Sequence, residues 1–432
     1  MNAPELPTSL TEGRIIDAVA ARESEAVQRL STLIAEGSLL GHEGGAQALM
    51  RDTYTGLGLS VETFLIDESR VSQHPAWSPS IVSYDGRPNV VGIHEPKGPV
   101  HGRSLILNGH IDVVPVGAEA LWTRPPFEPW RDGDKLYGRG SADMKAGLIA
   151  CVTALQALHD LGYEPAAKVI LQSVIEAECT GNGALACRVH GYTADAALIP
   201  EPTRGIMSAQ MGVMWLALEV HGFPVHAAYA HEGTDAIRFA QYLVDDLREL
   251  EAHWNEAAQR HPVFKDFAHP VNFNLGKLHG GEWASSVATH CRADLRLGFY
   301  PGVSPATVRA EIEQRLAAAH ARHPARDSVR YEIVYQGFQA DGLVVDTRQP
   351  IIQTLIDSHR AIIGAEPEFV AFTGTTDVKF FHLYGDIPST CYGPQGADIH
   401  GIDEWVSIAS MQQVAAVYAL LIARWCGLNP LA

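Results

Sequence analysis

The first half of the chain alternates between apolar spacing that is typical of helices and apolar runs that are typical of strands. Apolar residues recur three and four positions apart in several segments, which predicts amphipathic helices over residues 15–35, 46–57 and 141–161. Short apolar runs bounded by Gly, Pro and polar residues predict strands over residues 61–66, 89–93, 104–107, 168–174 and 196–199. Strands that alternate with helices favour an α/β fold, with a mainly parallel sheet flanked by helices.

The pattern changes after residue 203, where longer strand-like segments replace the earlier alternation. Strands are predicted over residues 207–221, 271–278, 286–299 and 330–335, with helices over residues 235–252 and 305–321. Further helices are predicted over residues 350–363, 376–383 and 405–424, and we expect them to return to the sheet of the first half. We therefore predict that an α+β domain, residues 213–326, is inserted into a discontinuous main domain of residues 1–212 and 327–432.

Composition and charge exclude several classes of partner. The 432 residues are 46% hydrophobic and 19% charged, which is enough apolar material for a large core. A formal net charge of −18 argues against nucleic acid or an anionic membrane surface as a partner, because both attract basic surfaces. The six cysteines include no Cys-x-x-Cys pair, so we expect free thiols in a reducing compartment. Residues 1–20 contain no apolar signal segment, and we expect a cytoplasmic protein without a membrane span.

Residues able to bind metal follow the ends of several predicted elements. A strand end, a Gly-rich turn and later strand ends or loops present two imidazoles and three carboxylates: His110, Asp143, Glu178, Glu201 and His400. This ligand set suits two divalent cations of borderline hardness, with one carboxylate bridging them. Two such ions can hold a water between them, lower its pKa and polarise a carbonyl. The sequence therefore predicts a dinuclear hydrolytic centre.

These separated motifs, in this order, resemble the M20 metallopeptidase family, which includes acetylornithine deacetylase, succinyl-diaminopimelate desuccinylase, aminoacylase and glutamate carboxypeptidase. The resemblance covers nearly the whole chain and implies a zinc-peptidase-like main domain with an inserted lid through which two chains dimerise. It implies that Asp143 bridges two metal ions, with His110 and Glu201 completing one site. It implies that Glu178 and His400 complete the other. Zinc is the expected ion, with cobalt or manganese as alternatives.

The resemblance also assigns roles around the metals. It implies that Asp112 orients the neighbouring imidazole and that the Asp143–Met144 peptide bond is cis. It implies that His226, in the lid, stabilises the tetrahedral oxyanion, often from the partner subunit. It implies that Arg296 binds the substrate carboxylate, a task that suits the bidentate guanidinium. A substrate-binding turn is expected at Gly374, Thr375 and Thr376.

Position 177 departs from the family pattern, which has two consecutive acidic residues at 177 and 178. The first is the general base, but this chain has Ala177, which cannot accept a proton, and such a loss typically costs about 10²–10⁴ in rate. Glu176 is a poor substitute, because it shares one face of the predicted strand with Glu178. Two interpretations remain, an engineered Glu-to-Ala substitution in an active enzyme or a natural pseudoenzyme. We favour the first, because the other residues needed for catalysis are present.

Three functions stay open at this point. The leading hypothesis is a metal-dependent deacylase that cleaves an amide next to a free carboxylate, as in a small-molecule N-acyl amino acid. The second is a dipeptidase or aminopeptidase, and the third is a non-catalytic binding protein. The expected partners are a small-molecule substrate and a second copy of the chain.

Overall fold

The computed structural model of the protein describes residues 6–8 and 10–431. Its helices, numbered in chain order, are α1 (Glu12–Ala20), α2 (Glu23–Ala35), α3 (Gly44–Gly56), α4 (Glu68–Val71), α5 (Ala146–Asp160), α6 (Asn182–His190), α7 (Ala236–Trp254), α8 (Pro305–Arg322), α9 (Pro350–Ile363), α10 (Val378–Gly385) and α11 (Ile408–Cys426). Its strands are β1 (Ser60–Phe64), β2 (Asn89–His94), β3 (Leu105–His110), β4 (Trp130–Asp132), β5 (Lys135–Tyr137), β6 (Tyr163–Pro165), β7 (Val169–Val174), β8 (Ala197–Ile199), β9 (Ile206–Gln210), β10 (Gly212–His221), β11 (Phe273–Gly280), β12 (His290–Phe299), β13 (Arg330–Ala340), β14 (Leu343–Val344), β15 (Phe369–Phe372), β16 (Ser389–Cys391), β17 (Gly396–Ala397), β18 (Trp405–Ser407) and β19 (Leu428–Pro430).

A six-stranded sheet with the order β1-β2-β7-β3-β8-β16 forms the framework of the larger unit. The pairings from β7 to β16 are parallel, whereas β1 and β2 pair antiparallel with their neighbours. Every residue of β3 and β7 is buried, so both faces of the sheet are covered. The predicted α/β class is confirmed, with a sheet that is parallel through its centre and antiparallel at one edge.

Two long apolar helices fix the position of the turn that carries Asp143. Helices α5 and α11 pack against each other and against β3. Both are buried around most of their circumference, as expected for a helix that is apolar on nearly all sides. Because α5 begins at Ala146, this packing anchors the turn that precedes it.

A second, smaller unit has its own hydrophobic core. It is built on a four-stranded antiparallel sheet with the order β11-β12-β10-β13, against which α7 and α8 pack. Residues of β12 alternate between buried and half-buried, as in a sheet with one face on the core and one face toward solvent. We call residues 212–340 the lid unit and the remaining described residues the main unit. Since β13 belongs to this sheet, the boundary predicted at residue 326 lies before the last strand and is wrong by one element.

Several predicted elements are interrupted where the chain changes partners. The strand predicted over residues 207–221 is broken at Met211, because β9 pairs with β14 and β15 whereas β10 pairs with β12 and β13. The helix predicted over residues 15–35 is two helices that meet at Ala21 and Arg22. The helix predicted over residues 141–161 begins only at Ala146. None of the helices in the described part of the chain is both long enough and apolar enough to span a bilayer.

Candidate metal centre

His110 is the last residue of β3, at the edge where the parallel strands end. Its Nδ1 lies 2.9 Å from the carbonyl oxygen of Asp112, so an N–H at that position donates to the backbone and leaves Nε2 free as a ligand. The Nε2 atom lies 3.2 Å from Oδ1 of Asp143 and 3.6 Å from Oε1 of Glu201. The imidazole therefore faces two carboxylates from different segments.

Asp143 lies in an irregular turn, Ser141–Lys145, immediately before α5. The Asp143–Met144 peptide bond is cis, as the resemblance implies. The two carboxylate oxygens of Asp143 face different imidazoles: Oδ1 is 3.2 Å from Nε2 of His110, and Oδ2 is 3.3 Å from Nε2 of His400. This carboxylate is therefore placed between the two histidines.

The remaining two acidic residues each lie beside one of these histidines. Glu201 follows β8 after a single proline, close to His110. Glu178 lies in the turn after β7, and its Oε1 is 3.1 Å from Nε2 of His400. His400 lies between β17 and β18 with φ of 61°. Five residues that are far apart in sequence thus meet in two groups around Asp143.

The donor set fits divalent cations by spacing as well as by type. Two ligand atoms that are each about 2.0–2.1 Å from a tetrahedral zinc ion lie about 3.4 Å apart. The nitrogen-to-oxygen distances in this cluster are 3.1, 3.2, 3.3 and 3.6 Å. His110, Asp143 and Glu178 also offer ligand atoms that all lie within 4.8 Å of one another.

Several ionisable side chains lie close together in this cluster, and their pKa values are shifted in opposite directions. The neighbouring carboxylate of Glu178 raises the pKa of His400 to about 11. Burial opposes charge on His110, but the adjacent carboxylates outweigh burial and raise its pKa. Burial and the other carboxylates raise the pKa of Glu201, whereas the two imidazoles outweigh burial and lower the pKa of Asp143. A centre with this balance stabilises added positive charge, which is what a metal site requires.

Asp112 supports the centre differently from the expectation. The carboxylate of Asp112 is 3.8 Å from Nδ1 of His110, too far for a hydrogen bond, and it is the backbone carbonyl that contacts the ring. The carboxylate instead accepts the N–H groups of Ala177 at 3.2 Å and Glu178 at 3.0 Å. Because it is fully buried, its pKa rises to about 8. Asp112 thus contacts the imidazole through its main chain and the Glu178 turn through its side chain.

Ala177 is half-buried in the turn after β7, and the acidic residue before it is engaged elsewhere. Glu176 is buried, and its Oε1 forms an ion pair with Arg87 at 2.6 Å. Its Oε2 accepts the hydroxyl of Thr180 at 2.8 Å. Since β7 ends before this turn and Glu176 has φ of 71°, the prediction that Glu176 and Glu178 share a strand face is wrong. The conclusion that Glu176 is a poor base is nevertheless supported, because its carboxylate is committed to other partners.

Arg296 lies on β12, and its guanidinium reaches the segment that carries the predicted substrate turn. Its Nη2 donates to the carbonyl of Thr373 at 3.1 Å. Burial lowers the pKa of Arg296 to about 10, and no carboxylate in the described part of the chain offsets this effect. The predicted turn follows directly: Gly374 accepts the Met211 N–H at 3.0 Å, and the Thr376 hydroxyl donates to Gln210 at 2.6 Å. Arg296 and this turn therefore lie together where the lid unit joins the main unit.

His226 is exposed in the lid unit and is not among the residues gathered at the centre. Its Nδ1 accepts the Ala228 N–H at 3.0 Å, and its ring is edge-on to that of Tyr229. These contacts lie within the lid unit. The oxyanion role of His226 stays a prediction.

Sequence reasoning missed two buried ion-pair groups beside the ligands. Arg139 pairs with Glu404, and Arg87 pairs with Glu43 and Glu176, with every one of these side chains at most 2% exposed. The nearest signals in the sequence are the Gly-Arg-Gly step at residues 138–140 and the acidic residue four positions after His400. Neither signal says that an arginine and a glutamate more than 200 residues apart form a buried pair.

Comparison with known proteins agrees with this geometry. Residues 106–424 match Peptidase family M20/M25/M40. The N-formyl-4-amino-5-aminomethyl-2-methylpyrimidine deformylase of Halalkalibacterium halodurans is 30% identical over 365 residues, which cover 80% of this chain and 84% of the deformylase. The succinyl-diaminopimelate desuccinylase of Dechloromonas aromatica is 28% identical over 337 residues, covering 74% of this chain and 83% of that enzyme.

Solved structures extend the likeness to the whole fold. Human carnosine dipeptidase 1 superposes with a TM-score of 0.75 at 14% identity, covering 96% of this chain and 99% of the other. The di-peptidase Dug1p of Saccharomyces cerevisiae superposes with a TM-score of 0.77 at 12% identity, with 96% and 98% coverage. At these identities the similarity shows the fold alone. The family match over most of the sequence decides the classification, and the chain belongs to Peptidase family M20/M25/M40.

Proposed function

We propose that this member of the family is a dinuclear amide hydrolase that removes an acyl group from an amino acid with a free carboxylate. The observation that carries the proposal is the Asp143 carboxylate, whose two oxygens lie 3.2 Å from His110 and 3.3 Å from His400. A carboxylate with one oxygen toward each of two imidazoles is suited to bridge two divalent ions. Glu201 and Glu178 would complete the two sites, and zinc is the ion we propose for this set of nitrogen and oxygen ligands.

The ions, when bound, would polarise the scissile carbonyl and lower the pKa of a water. The chain itself would supply substrate binding. Arg296 is suited to hold the substrate carboxylate, because its half-buried guanidinium lacks a carboxylate partner within the described residues. The adjoining turn at residues 374–376 would then contact the substrate beside that carboxylate. Specificity for a free carboxylate follows from this part of the proposal.

Position 177 limits the reaction. Glu176 is held by Arg87 at 2.6 Å and by Thr180 at 2.8 Å, so it is not free to take a proton from water. With Ala177 beside Glu178, the site would bind substrate and metal but lack its general base. We propose that the sequence is a Glu-to-Ala form of an active enzyme.

The lid unit would complete the site in a dimer. His226 is exposed on the lid unit, so it is free to contact a substrate at the metal centre of a partner subunit or of its own chain after closure. We propose that it stabilises the oxyanion there.

The relatives broaden the acyl group to be tested. The deformylase from Halalkalibacterium halodurans acts, by its name, on a formylated aminomethylpyrimidine. The relative from Dechloromonas aromatica removes, by its name, the succinyl group of succinyl-diaminopimelate. A substrate panel should therefore contain formyl, acetyl and succinyl amides, both with and without a carboxylate on the amine half, together with dipeptides.

The test compares Ala177→Glu with Ala177→Gln, which has nearly the same size but cannot accept the proton. Ala177→Glu should hydrolyse at least one N-acyl amino acid, with a gain in kcat of at least about 10²-fold over the Ala177 protein. KM should change little, because the base acts in the transition state. Ala177→Gln should stay as slow as the Ala177 protein.

The panel also separates the alternatives. Hydrolysis confined to dipeptides would replace the deacylase by a dipeptidase, and hydrolysis confined to amides without a carboxylate would remove the role given to Arg296. If Ala177→Glu folds, binds its metals and cleaves nothing in the panel, a binding pseudoenzyme becomes the better conclusion.

A further inference from the structure

Glu404 is a buried carboxylate whose partners are the backbone of the Asp143 turn. Its Oε2 accepts the Gly140 N–H at 3.1 Å. Its Oε1 accepts the N–H groups of Ala142 and Asp143, each at 3.0 Å. The side chain is 1% exposed, so these contacts are made away from water. Glu404 thus holds three backbone donors at the turn that bears the Asp143 carboxylate, which lies between the two histidines.

Arg139 extends the same contact network to two other ligand-bearing segments. Its Nη1 pairs with Oε2 of Glu404 at 2.6 Å. Its Nη2 donates to the carbonyl of Gly401 at 2.8 Å and contacts the carbonyl of Pro115 at 3.4 Å. Gly401 follows His400 directly, and Pro115 lies in the segment that leads away from β3. One guanidinium therefore connects three loops that approach the centre.

We infer that Arg139 and Glu404 act as a positioning pair, which holds the Asp143 turn and the His400 loop at the separation needed to bind two metal ions. The inference rests on the proposed function, because it assigns the pair to the metal centre proposed there. Neither residue is one of the five proposed ligands, and both act through backbone groups of the ligand loops.

The irregular backbone of the Asp143 turn needs hydrogen-bond partners from outside the turn. The Ser141–Lys145 turn is not helical at Asp143, so its N–H groups do not find partners within a regular helix. Leaving several buried N–H groups unpaired would be costly, and a carboxylate satisfies them in one orientation of the turn. Buried ion pairs are weak sources of net stability, because desolvation offsets their attraction. The pair is therefore better explained by the geometry it imposes than by the stability it adds.

The test measures metal binding rather than turnover. Metal is removed with a chelator, zinc affinity is measured in competition with a chromophoric chelator, and the visible absorption of the cobalt-loaded protein reports ligand geometry. Glu404→Gln puts an amide group where Oε1 or Oε2 accepts N–H groups, and it should weaken zinc affinity by about 10–100-fold, as do other changes to residues that support metal ligands. The cobalt spectrum should shift as well.

A conservative variant and a remote variant serve as controls. Arg139→Lys keeps a charge for Glu404 but lacks the planar fork that reaches Gly401 and Pro115. It should weaken zinc affinity in the same direction as Glu404→Gln. Asp246→Asn removes a carboxylate in the lid unit that is 6% exposed and is paired with Arg315 and Arg322. It should lower thermal stability and leave zinc affinity and the cobalt spectrum unchanged.

Each outcome decides the inference. If folded Glu404→Gln keeps the zinc affinity and the cobalt spectrum of the unaltered protein, the inference is overturned while the metal centre stays in place. If Glu404→Gln does not fold, Arg139→Lys decides in the same way. Weakened zinc binding in Asp246→Asn would show that the effect follows general destabilisation and would also overturn the inference. If the unaltered protein binds no metal, the proposed function fails first, and the positioning role fails with it.

Discussion

The main unit and the lid unit place their ion pairs differently. At the candidate metal centre, Arg87 and Arg139 pair with glutamates, and the side chains involved are at most 2% exposed. In the lid unit, Arg292 pairs with Glu219 and Asp294, with side chains 20–29% exposed. Regular strands satisfy their own backbone groups, so the lid sheet can leave its charges toward solvent. The loops at the candidate metal centre, which we call the metal edge, comprise residues 110–115, 138–145, 176–181, 201 and 396–404. They lack that regular pairing, and buried charges hold them.

Backbone conformation also differs between the main unit and the lid unit. Within the described residues, every non-glycine residue with positive φ lies in the main unit. Four of them belong to the metal edge, namely Glu176, Asp398, His400 and Asp403. Left-handed backbone at a non-glycine residue costs about 1–3 kcal/mol and persists only where surrounding contacts enforce it. The comparison predicts that the metal edge depends on a few buried residues, whereas the lid unit depends on its regular core.

The largest expected effect comes from breaking the buried group around Arg87. Its guanidinium pairs with Glu43 and Glu176 at 2.6 Å each. Arg87→Met leaves two buried carboxylates without a cation, so we expect a loss of about 3–5 kcal/mol in the free energy of unfolding. Urea denaturation followed by tryptophan fluorescence measures it. A loss below about 1 kcal/mol would show that the group does not hold the turn after β7.

Regular elements could be predicted from the sequence because their apolar spacing is local. The helix predicted over residues 350–363 has the bounds of α9, Pro350–Ile363. The helix predicted from residue 141 failed over its first turn, although the apolar spacing continues through it. The reason is distant in sequence, because Glu404 takes the N–H groups of Ala142 and Asp143. No local pattern records that contact.

The candidate site shows the same limit. The structure brings together the five predicted ligands, whose residue types and positions at element ends were visible in the sequence. The contacts that support these ligands could not be predicted from the sequence. The carboxylate of Asp112 was expected at His110, but it accepts the Ala177 and Glu178 N–H groups instead. Choosing between these partners requires the three-dimensional approach of two segments about 65 residues apart.

The next largest effect is expected from metal binding, which should stabilise the main unit and leave the lid unit unchanged. A ligand that binds only the folded state adds about 2.7 kcal/mol at a free concentration 100 times its Kd. Zinc should therefore slow hydrogen exchange around residues 141–145, 176–181 and 396–401. Exchange in α7 and α8 should not change, since both helices lie in the core of the lid unit. Mass-spectrometric exchange with and without chelator tests both halves, and protection spread evenly over the two units would contradict the comparison.

A smaller loss of stability is expected from removing the charge of Asp246, the most buried carboxylate among the ion pairs of the described lid residues. Asp246 lies on α7, with Oδ1 2.7 Å from Nη2 of Arg322 and Oδ2 2.8 Å from Nε of Arg315. Asp246→Asn keeps the shape but removes the charge, so the loss should be about 1.5–3 kcal/mol, the contribution of hydrogen bonds to charged groups. Thermal unfolding with and without zinc measures this loss. Because the lid unit does not contain the proposed metal ligands, the zinc-dependent increase in stability should equal that of the unaltered protein.

The smallest loss in the free energy of unfolding is expected when Arg292, on the solvent-facing side of the lid sheet, is replaced. Arg292 forms ion pairs with Glu219 and, at 2.8 Å, with Asp294, all on half-exposed side chains. Arg292→Ala should cost only about 0.2–1 kcal/mol, because solvent screens such pairs, and 1 M salt should shrink the difference further.

The pH dependence of that difference follows from Glu219. Burial alone would raise its pKa, but His290 and Arg292 outweigh burial and lower the pKa below its ordinary value of 4.5. A carboxyl whose pKa is lowered by folding stabilises the protein above its unfolded pKa and loses that effect as pH falls through its folded pKa. The gap in urea midpoint between the unaltered protein and Arg292→Ala should therefore be full at pH 7 and should close below about pH 4. Two results would mean that the lid unit relies on its charged pairs as the metal edge does. One is a loss of stability in Arg292→Ala larger than that in Arg87→Met, and the other is a difference in urea midpoint that grows in acid.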